Sequence, residues 1–254
     1  MSFYKPGNQE LSLLDFELLQ LTKGESLEWV SNDFEVVAVI IEGECSVSSE
    51  MQTWKLSRQT VFKDAASAVF ASPGVKLSII ANEKTTLAMC KARAEKRFQT
   101  TFIPPENVNS EWRGREGYRR RVSNILNTET QTQRIAVGET INEPGQWSSF
   151  PSHKHDTYEK SGDRTVEVPL EEIYYFRLEP KTGFGLQRLY TKDGSFDEAR
   201  VIKDGDVVQI PKGYHPVASI PGHSLYYLWM LGGENRVYIW NTDPGLRWLE
   251  RNGN

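Results

Sequence analysis

Two histidines that alternate along a predicted strand are the clearest sign of chemistry in this sequence. His153 and His155 are separated by a single residue within the segment Pro151 to Asp156. Side chains on a β-strand alternate between its two faces, so both imidazoles point the same way, about 7 Å apart along the backbone. This spacing allows both rings to bind one metal ion.

A pair of glutamates opens the next predicted strand. Glu171 and Glu172 precede the aromatic run Ile173 to Phe176, a composition typical of a β-strand. Adjacent residues of a strand face opposite ways, so only one of the two carboxylates can face the histidines. Glu172 is predicted to do so, because it shares a face with Tyr174.

A third histidine, His215, follows a predicted strand and a turn that contains Pro211 and Gly213. The fourth histidine, His223, lies in a Pro-Gly turn and is predicted to be exposed rather than to bind metal. Three imidazoles and a carboxylate suit a divalent cation and leave room for water or substrate. The predicted ligands are His153, His155, Glu172 and His215.

The composition favours a globular protein with a large core. The chain has 254 residues, of which 38% are hydrophobic and 25% charged, as is usual for soluble globular domains. A net charge of -4 gives no reason to expect nucleic acid, which normally needs a basic face. Two cysteines are too few for a disulfide framework, and we see no apolar signal segment or membrane-spanning run. We therefore expect a cytoplasmic protein without nucleic-acid or membrane partners, and a homo-oligomer is left open.

A short basic cluster is the exception to this charge balance. Few aromatic residues are interleaved with it, so a solvated or domain-bridging face is favoured over an RNA site. These side chains are also able to hold a substrate carboxylate. The cluster comprises Arg113, Arg115, Arg119, Arg120 and Arg121.

Short strands dominate the sequence, and no long amphipathic helix interrupts them. Apolar runs such as Val36 to Ile41 are separated by Gly, Pro, Asn and Asp, a pattern typical of an all-β sandwich or barrel. A faint repeat relates residues 64–79 to residues 204–220, and the polar segment 103–121 is predicted to be a linker. We predict two tandem β-barrels: residues 1–105, which lack metal ligands, and residues 106–254, which bind the metal.

The predicted ligands resemble the metal-binding pattern of the cupins, in which a His-x-His pair and a glutamate precede a histidine after a Pro-x-Gly turn. Two departures stand out. The segment between His155 and Glu172, Asp156 to Leu170, is longer than in the general cupin pattern, which implies an inserted loop over the mouth of the site. Only Tyr214 separates Gly213 from His215, where two residues are common. The resemblance implies an all-β fold of tandem double-stranded β-helix barrels, a bicupin. The cupin positions are matched one by one by His153, His155, Glu172 and His215.

Longer segments resemble the 5-deoxy-glucuronate isomerases of myo-inositol catabolism. The resemblance implies an aldose-ketose isomerase that interconverts 5-deoxy-D-glucuronate and 5-dehydro-2-deoxy-D-gluconate, with a small sugar acid as its substrate. It also implies a divalent metal cofactor, and histidine with carboxylate suits Zn, Mn or Fe. The segments are Asn142 to Asp156, Glu171 to Phe176, Gly183 to Tyr190 and Pro211 to Pro216.

An isomerase of this kind moves hydrogen between neighbouring carbons and needs a base within reach of the substrate. A planar guanidinium is a natural partner for the substrate carboxylate, and Arg188 on a predicted strand is the first choice. Residue types alone do not decide among the base candidates Glu171, Lys154, Tyr190, Asp156, Tyr174 and Tyr214. The predicted catalytic set is Glu171, Arg188, Tyr190 and Lys154.

Two other functions fit the same ligand set. Three histidines and a glutamate can hold Fe(II) and leave positions for oxygen, as in a metal-dependent dioxygenase. A non-catalytic sugar-binding module would need no base and would tolerate a structural metal. Oxygen uptake with a diol substrate would indicate the first alternative, and tight sugar binding without turnover would indicate the second.

Overall fold

The predicted all-β class is confirmed. In the computed structural model, the described part of the chain contains strands and two short 3-10 helices, Pro105–Asn107 and Arg247–Asn252. No helix within it is long and apolar enough to cross a membrane. The structure describes residues 3–4, 11–50, 52–126, 130–234 and 236–252.

The first half of the chain is built around one long strand, β4, which takes part in two sheets. The early part of β4 pairs with β6 and β8, and its later part pairs with β5 and β7. The remaining pairs are β2 with β8, β3 with β7 and β6 with β9. The strands are β2 (Leu14–Leu21), β3 (Ser26–Val30), β4 (Phe34–Ser49), β5 (Gln52–Arg58), β6 (Ala68–Ala71), β7 (Lys76–Ala81), β8 (Thr85–Arg93) and β9 (Thr101–Ile103).

The second half forms a seven-stranded and a four-stranded sheet. The larger sheet has the order β1-β20-β17-β22-β12-β11-β10, and the smaller has the order β13-β21-β18-β19. Strand β1 (Phe3–Tyr4) of the larger sheet comes from the start of the chain and pairs with β20 in parallel. The other strands of these two sheets are β10 (Asn109–Arg113), β11 (Arg120–Asn124), β12 (Ile135–Asn142), β13 (Trp147–Ser148), β17 (Glu171–Glu179), β18 (Gly185–Tyr190), β19 (Asp197–Ile202), β20 (Val207–Ile210), β21 (Val217–Ser219) and β22 (Ser224–Gly232).

Four short strands form two small ribbons beside these sheets. β14 (His153–Lys154) pairs with β23 (Asn241–Thr242), and β15 (Glu159–Ser161) pairs with β16 (Arg164–Glu167). The β15-β16 hairpin lies within the segment 156–170, so the inserted loop expected there is largely an ordered hairpin.

The apolar residues form three cores, and alternation along the strands decides which core each side chain enters. On β4, Val37 and Val39 lie in a core shared by the two halves, whereas Val36 and Ala38 lie in a core of the first half alone. The same alternation holds on β17, where Ile173 and Tyr175 enter the shared core while Tyr174 and Phe176 enter a core of the second half. The middle strands are apolar on both faces because both faces are buried.

The segment 103–121 is not the linker that we predicted. It contributes all of β10 and the first residues of β11, and β11 pairs with β12 in the large sheet. Its polar sequence misled the prediction, because β10 is almost entirely exposed and therefore lacks an apolar alternation. The predicted repeat corresponds to two sets of consecutive strands joined by a turn, β6 followed by β7 and β20 followed by β21; the members of each set lie in different ladders.

A buried ion pair joins the two halves of the chain. Arg58 at the end of β5 donates to Glu139 on β12 at 2.9 Å, and both side chains are almost completely buried. Tyr226 donates its hydroxyl to the other carboxylate oxygen of Glu139 at 3.1 Å. A charge buried at this depth needs its partner, because water cannot solvate it there.

We predict that Glu139→Leu destabilises the protein by about 3–5 kcal/mol, because the Arg58 guanidinium is left buried without a counter-charge. Urea unfolding should show this loss, and the double variant Arg58→Met with Glu139→Leu should recover most of it. Asp197→Ala, which breaks an exposed pair with Arg188, is the control and should leave the midpoint nearly unchanged. A small loss in Glu139→Leu would contradict this account of the pair.

Candidate metal centre

Three predicted ligands come from two short segments that the fold brings together. His153 lies on β14 and His155 follows it directly, so the two rings share a face as the strand alternation predicts. His215 follows the turn after β20. The ligand nitrogens of the three imidazoles lie within 4.8 Å of one another. The fold thus brings together two segments that are about sixty residues apart in the sequence.

The turn before His215 requires glycine at one position. Gly213 has φ +86°, and a Cβ there would lie 2.5 Å from the carbonyl oxygen of Tyr190. This close approach accompanies the bridge between Tyr190 and Tyr214. A side chain at position 213 would push the turn away from β18 and would displace His215 with it.

The Glu172 carboxylate completes the cluster. One oxygen, Oε2, lies 3.1 Å from Nε2 of His155 and 3.1 Å from Nε2 of His215. Glu172 lies at the start of β17 and is 4% exposed. Its neighbour Glu171 faces the other way, as the alternation of the strand predicts.

The hydrogen bonds of the two imidazoles place a proton on Nδ1 of each ring. Nδ1 of His155 donates to the Leu170 carbonyl at 3.0 Å, and Nδ1 of His215 donates to the Gly213 carbonyl at 2.9 Å. A neutral imidazole carries one proton, so in that form each Nε2 offers a lone pair to a metal ion. Without metal, a protonated His155 instead donates from Nε2 to Glu172 at 3.1 Å. The donor set therefore fits a divalent metal, and each ring is oriented by a backbone carbonyl as metal-bound histidines usually are.

The pKa values of the cluster reflect the same contacts. Burial raises the pKa of Glu172, but hydrogen bonds from His155 and His215 outweigh it and lower the value to about 2. Burial opposes a charge on His155, yet the Glu172 carboxylate raises its pKa above the usual value. Burial, followed by the neighbouring His215 and His155, lowers the pKa of His153 well below its usual range. Glu172 is thus ionised and able to bind a cation.

The cluster lies in the wall of a cavity of about 480 Å³. His153, His155 and Glu172 line it, while His215 is fully buried behind His153, with ring centroids 4.9 Å apart. The exposed ring of Trp240 lies against His153, with centroids 5.7 Å apart. The cavity has room for a sugar-sized ligand beside the ligand cluster. Its other lining residues include Arg113, Arg120, Ser149, Tyr174, Tyr227, Trp229, Arg236, Tyr238, Thr242 and Glu250.

Three hydroxyls form a chain in this wall. The Ser149 hydroxyl lies 2.9 Å from the Tyr174 hydroxyl and 3.4 Å from the Tyr227 hydroxyl. Burial raises the pKa of Tyr174 well above its usual range, and the Glu172 charge adds to this effect. Tyr174 therefore stays a neutral hydroxyl, able to donate or accept a hydrogen bond at the cavity.

Two predicted catalytic residues have structural partners instead of facing the cavity. The Glu171 carboxylate accepts hydrogen bonds from the backbone N–H groups of Ser12, Leu13 and Leu14, at 2.8 to 2.9 Å. Lys154 points away from its histidine neighbours, because adjacent strand residues face opposite ways. The catalytic role of Glu171 and Lys154 stays a prediction, and it gains no support from these partners.

Arg188 and Tyr190 also lie outside the cavity lining. Arg188 is exposed and makes two hydrogen bonds to Asp197, at 2.7 and 2.8 Å, while it stacks over Tyr190. Tyr190 donates its hydroxyl to Asp243 at 2.6 Å. Strand β18 belongs to the smaller sheet, and the prediction that Arg188 holds the substrate carboxylate gains no support from the cavity lining. His223 lies apart from the three clustered histidines, in the turn before β22, where its Nδ1 donates to the Pro221 carbonyl at 3.3 Å.

Sequence reasoning missed most of the cavity wall. Tyr227, Trp240 and Glu250 come from segments that carry no motif. Arg113 and Arg120 belong to the basic cluster noted in the sequence, and binding of a substrate carboxylate was one of the roles considered for that cluster. The pairing of β10 with β11 and of β11 with β12 decides that these two arginines face the cavity, and no local pattern shows that register.

Lys154 belongs to a buried network that joins the two ligand segments. Its ammonium group donates to Asp156 at 2.6 Å and to Glu167 at 2.7 Å. The other Asp156 oxygen accepts the Gly213 N–H at 2.6 Å, and the Gly213 carbonyl accepts the proton of His215. Asp156 thus fixes the turn of His215 against the strand of His153 and His155.

Solved structures of low sequence identity show the class of fold. An oxalate decarboxylase from Lactobacillus farciminis has a TM-score of 0.64 at 14% identity, with 94% of this chain and 81% of that chain covered. A cupin 2 conserved barrel domain protein from Leptotrichia buccalis has a TM-score of 0.50 at 12% identity, with 91% of each chain covered. The fold is cupin-like, and its site is a cluster of three histidines and one glutamate.

The chain belongs to the KduI/IolB family, whose pattern it matches over residues 3–249. It is 36% identical over 247 residues to a 5-deoxy-glucuronate isomerase of Geobacillus thermodenitrificans, with 96% of this chain and 89% of the relative covered. A 5-deoxy-glucuronate isomerase of Geobacillus kaustophilus is 35% identical over 237 residues, which cover 92% of this chain and 84% of the relative. The crystal structure of an IolB-like protein from Salmonella typhimurium has a TM-score of 0.89 at 33% identity, with 97% of both chains covered.

We predict that Glu172→Gln loses metal affinity while Glu171→Gln keeps it. The first change removes a charged donor that faces the imidazoles, and the loss should exceed the roughly 10- to 100-fold typical of an outer hydrogen-bond partner. The second change weakens the anchor of residues 12–14 and should lower only the unfolding midpoint. Competition with a coloured chelator measures the first effect, and urea unfolding measures the second. The reverse pattern would show that the two carboxylates had exchanged faces.

Asp156→Asn should weaken metal binding about 10- to 100-fold, although Asp156 is not a ligand. The amide presents a donor to either the Lys154 ammonium or the Gly213 N–H, so the turn of His215 loosens. Asp193→Asn, in an exposed turn near Ser195, is the matched control. Equal zinc affinity in both variants, measured by chelator competition, would show that the network does not position the ligands.

Proposed function

We propose that this protein is a metal-dependent isomerase that interconverts 5-deoxy-D-glucuronate and its ketose isomer, 5-dehydro-2-deoxy-D-gluconate, in myo-inositol degradation. The convergence of His155, His215 and Glu172 beside a sugar-sized cavity carries the proposal. Isomerase activity follows from relatives that cover nearly the whole chain and are named 5-deoxy-glucuronate isomerase. A small sugar acid is therefore the proposed partner of the cavity.

The proposed cofactor is one divalent cation. The converging lone pairs support it, and nitrogen with carboxylate donors suits Zn, Mn or Fe. A cation bound there acts as a Lewis acid that polarises a carbonyl and lowers the pKa of a neighbouring hydroxyl. The proposed ligands are His153, His155, Glu172 and His215.

The chain's own residues have three tasks in this reaction. The hydroxyls of Ser149, Tyr174 and Tyr227 are placed to hydrogen-bond sugar oxygens or to carry a proton along the wall. Trp240 covers the ring of His153 and limits the access of water. Glu250, which lines the cavity and accepts the Thr242 hydroxyl at 2.6 Å, is a carboxylate base candidate to test beside Tyr227.

We also propose that the chain is a bicupin, with residues 1–105 as one double-stranded β-helix barrel and residues 106–254 as the other. Similar strand arrangements support this, since β4 lies between β6 and β8 as β17 lies between β20 and β22. The first barrel contains no histidine. Its proposed role is to pack against the second barrel through the shared core and to support the strands that bear the ligands.

The proposed activity predicts isomerisation that depends on metal but not on an outside oxidant. Protein loaded with Zn²⁺ or Mn²⁺ should convert 5-deoxy-D-glucuronate to the ketose without nicotinamide or oxygen, and a chelator should abolish turnover. The product can be measured by NMR, and Glu172→Gln is the inactive control. Oxygen uptake during turnover would indicate a dioxygenase instead, and sugar binding without any turnover would indicate a binding module.

The same assay in heavy water separates two routes. Transfer through an enediol places the proton on a base that exchanges with solvent, so deuterium enters the product. A hydride shift would carry the original hydrogen across with little label. The hydroxyl chain in the wall favours the enediol route, and an unlabelled product would contradict it.

A further inference from the structure

Two arginines lie side by side in the wall of the metal cavity. Arg113 on β10 and Arg120 on β11 are directly paired across the two strands, so their side chains emerge on the same face. Both line the cavity that contains His153 and Glu172. Like charges directly opposite each other destabilise a sheet, so their presence there needs a reason.

The two arginines differ in their partners. Arg113 forms an ion pair with Glu111, and both side chains are about half exposed. Arg120 is partly buried, and its Nη1 donates to the carbonyl oxygen of Tyr118 at 3.2 Å. Among the described residues it has no ion pair with a carboxylate.

The surroundings of Arg120 make its charge costly. Burial lowers the pKa of Arg120, and the positive charge of Arg113 lowers it further. A charge that is partly removed from water and has no counter-charge is unfavourable, and proteins normally pair such groups. The guanidinium therefore lacks an anion that a ligand of the cavity can supply.

Backbone packing holds Arg120 in place. Gly114 has φ +76°, and a Cβ there would lie 2.7 Å from Nη1 of Arg120 and 2.4 Å from the Tyr118 carbonyl oxygen. The turn between β10 and β11 thus fits closely around the guanidinium. A side chain at position 114 would displace the arginine from the wall.

The third arginine of the wall is less suited to this role. Arg236 donates to the backbone carbonyl of Thr130 at 2.6 Å, and its charge acts on the buried Glu35 carboxylate. Arg188, outside the cavity, is already held by Asp197. Arg120 is therefore the partly buried cation of the wall that is best placed to take an anionic ligand.

We propose that Arg120 binds the carboxylate of the sugar acid and thereby selects uronates over neutral sugars. The assignment rests on the proposed function, since it uses the charge of that substrate. A guanidinium binds a carboxylate through two parallel hydrogen bonds. The other end of the sugar then lies toward His153 and Glu172 in the same cavity.

Binding to metal-free protein tests this assignment without turnover. The probes are D-glucuronate and D-glucose, and the signal is the fluorescence of Trp229 and Trp240 in the cavity wall. Wild type should bind glucuronate more tightly than glucose. Arg120→Gln should raise the Kd for glucuronate roughly 10- to 100-fold and leave that for glucose nearly unchanged, and Arg120→Lys should fall between them. Arg188→Gln is the matched control and should behave as wild type.

Kinetics of the metal-loaded protein give a second readout. Arg120→Gln should raise KM for 5-deoxy-D-glucuronate more than it lowers kcat, and methylguanidinium should partly restore Arg120→Ala. Two results would overturn the assignment. One is equal glucuronate affinity in wild type and in a folded Arg120→Gln or Arg120→Lys variant. The other is no preference of wild type for glucuronate over glucose. If the charge selectivity depends on Arg120 but no uronate is isomerised, the proposed function fails and the anion site stands.

Discussion

The structure of the site depends on one carboxylate oxygen that two imidazoles share. Oε2 of Glu172 lies 3.1 Å from Nε2 of His155 and 3.1 Å from Nε2 of His215, and the opposite nitrogen of each ring donates to a backbone carbonyl. When both rings are neutral, the three atoms are all acceptors, and a bound cation is a partner that all three can share. The rest of the fold holds these three groups close together.

Three features of the fold hold the ligands in place. The alternation of β17 places Glu172 in the second half and Glu171 toward residues 12–14, so one strand serves both the site and the contact between the halves. The Asp156 network joins the His-x-His segment to the turn of His215. The shared core and the Arg58 pair with Glu139 then join the first half of the chain to the half that bears the ligands.

The sequence predicted the ligand cluster better than it predicted the cavity. Alternation and the Pro-x-Gly turn are local patterns, so His153, His155, Glu172 and His215 were placed together from spacing and resemblance. Partners set by register are not local, so the contact of Lys154 with Glu167 and the pair of Arg188 with Asp197 could not be predicted from spacing. Arg120 shows the opposite case, since its cluster was visible but its place in the cavity wall was not.

Anomalous diffraction from crystals grown with Zn²⁺ tests the central claim most directly. The account predicts one strong peak at about 2.0–2.2 Å from an imidazole nitrogen of His153, His155 and His215 and from an oxygen of Glu172. Glu172→Gln crystals grown in the same way should show a much weaker peak. A peak elsewhere on the protein, or none among these four side chains at full zinc loading, would contradict the account.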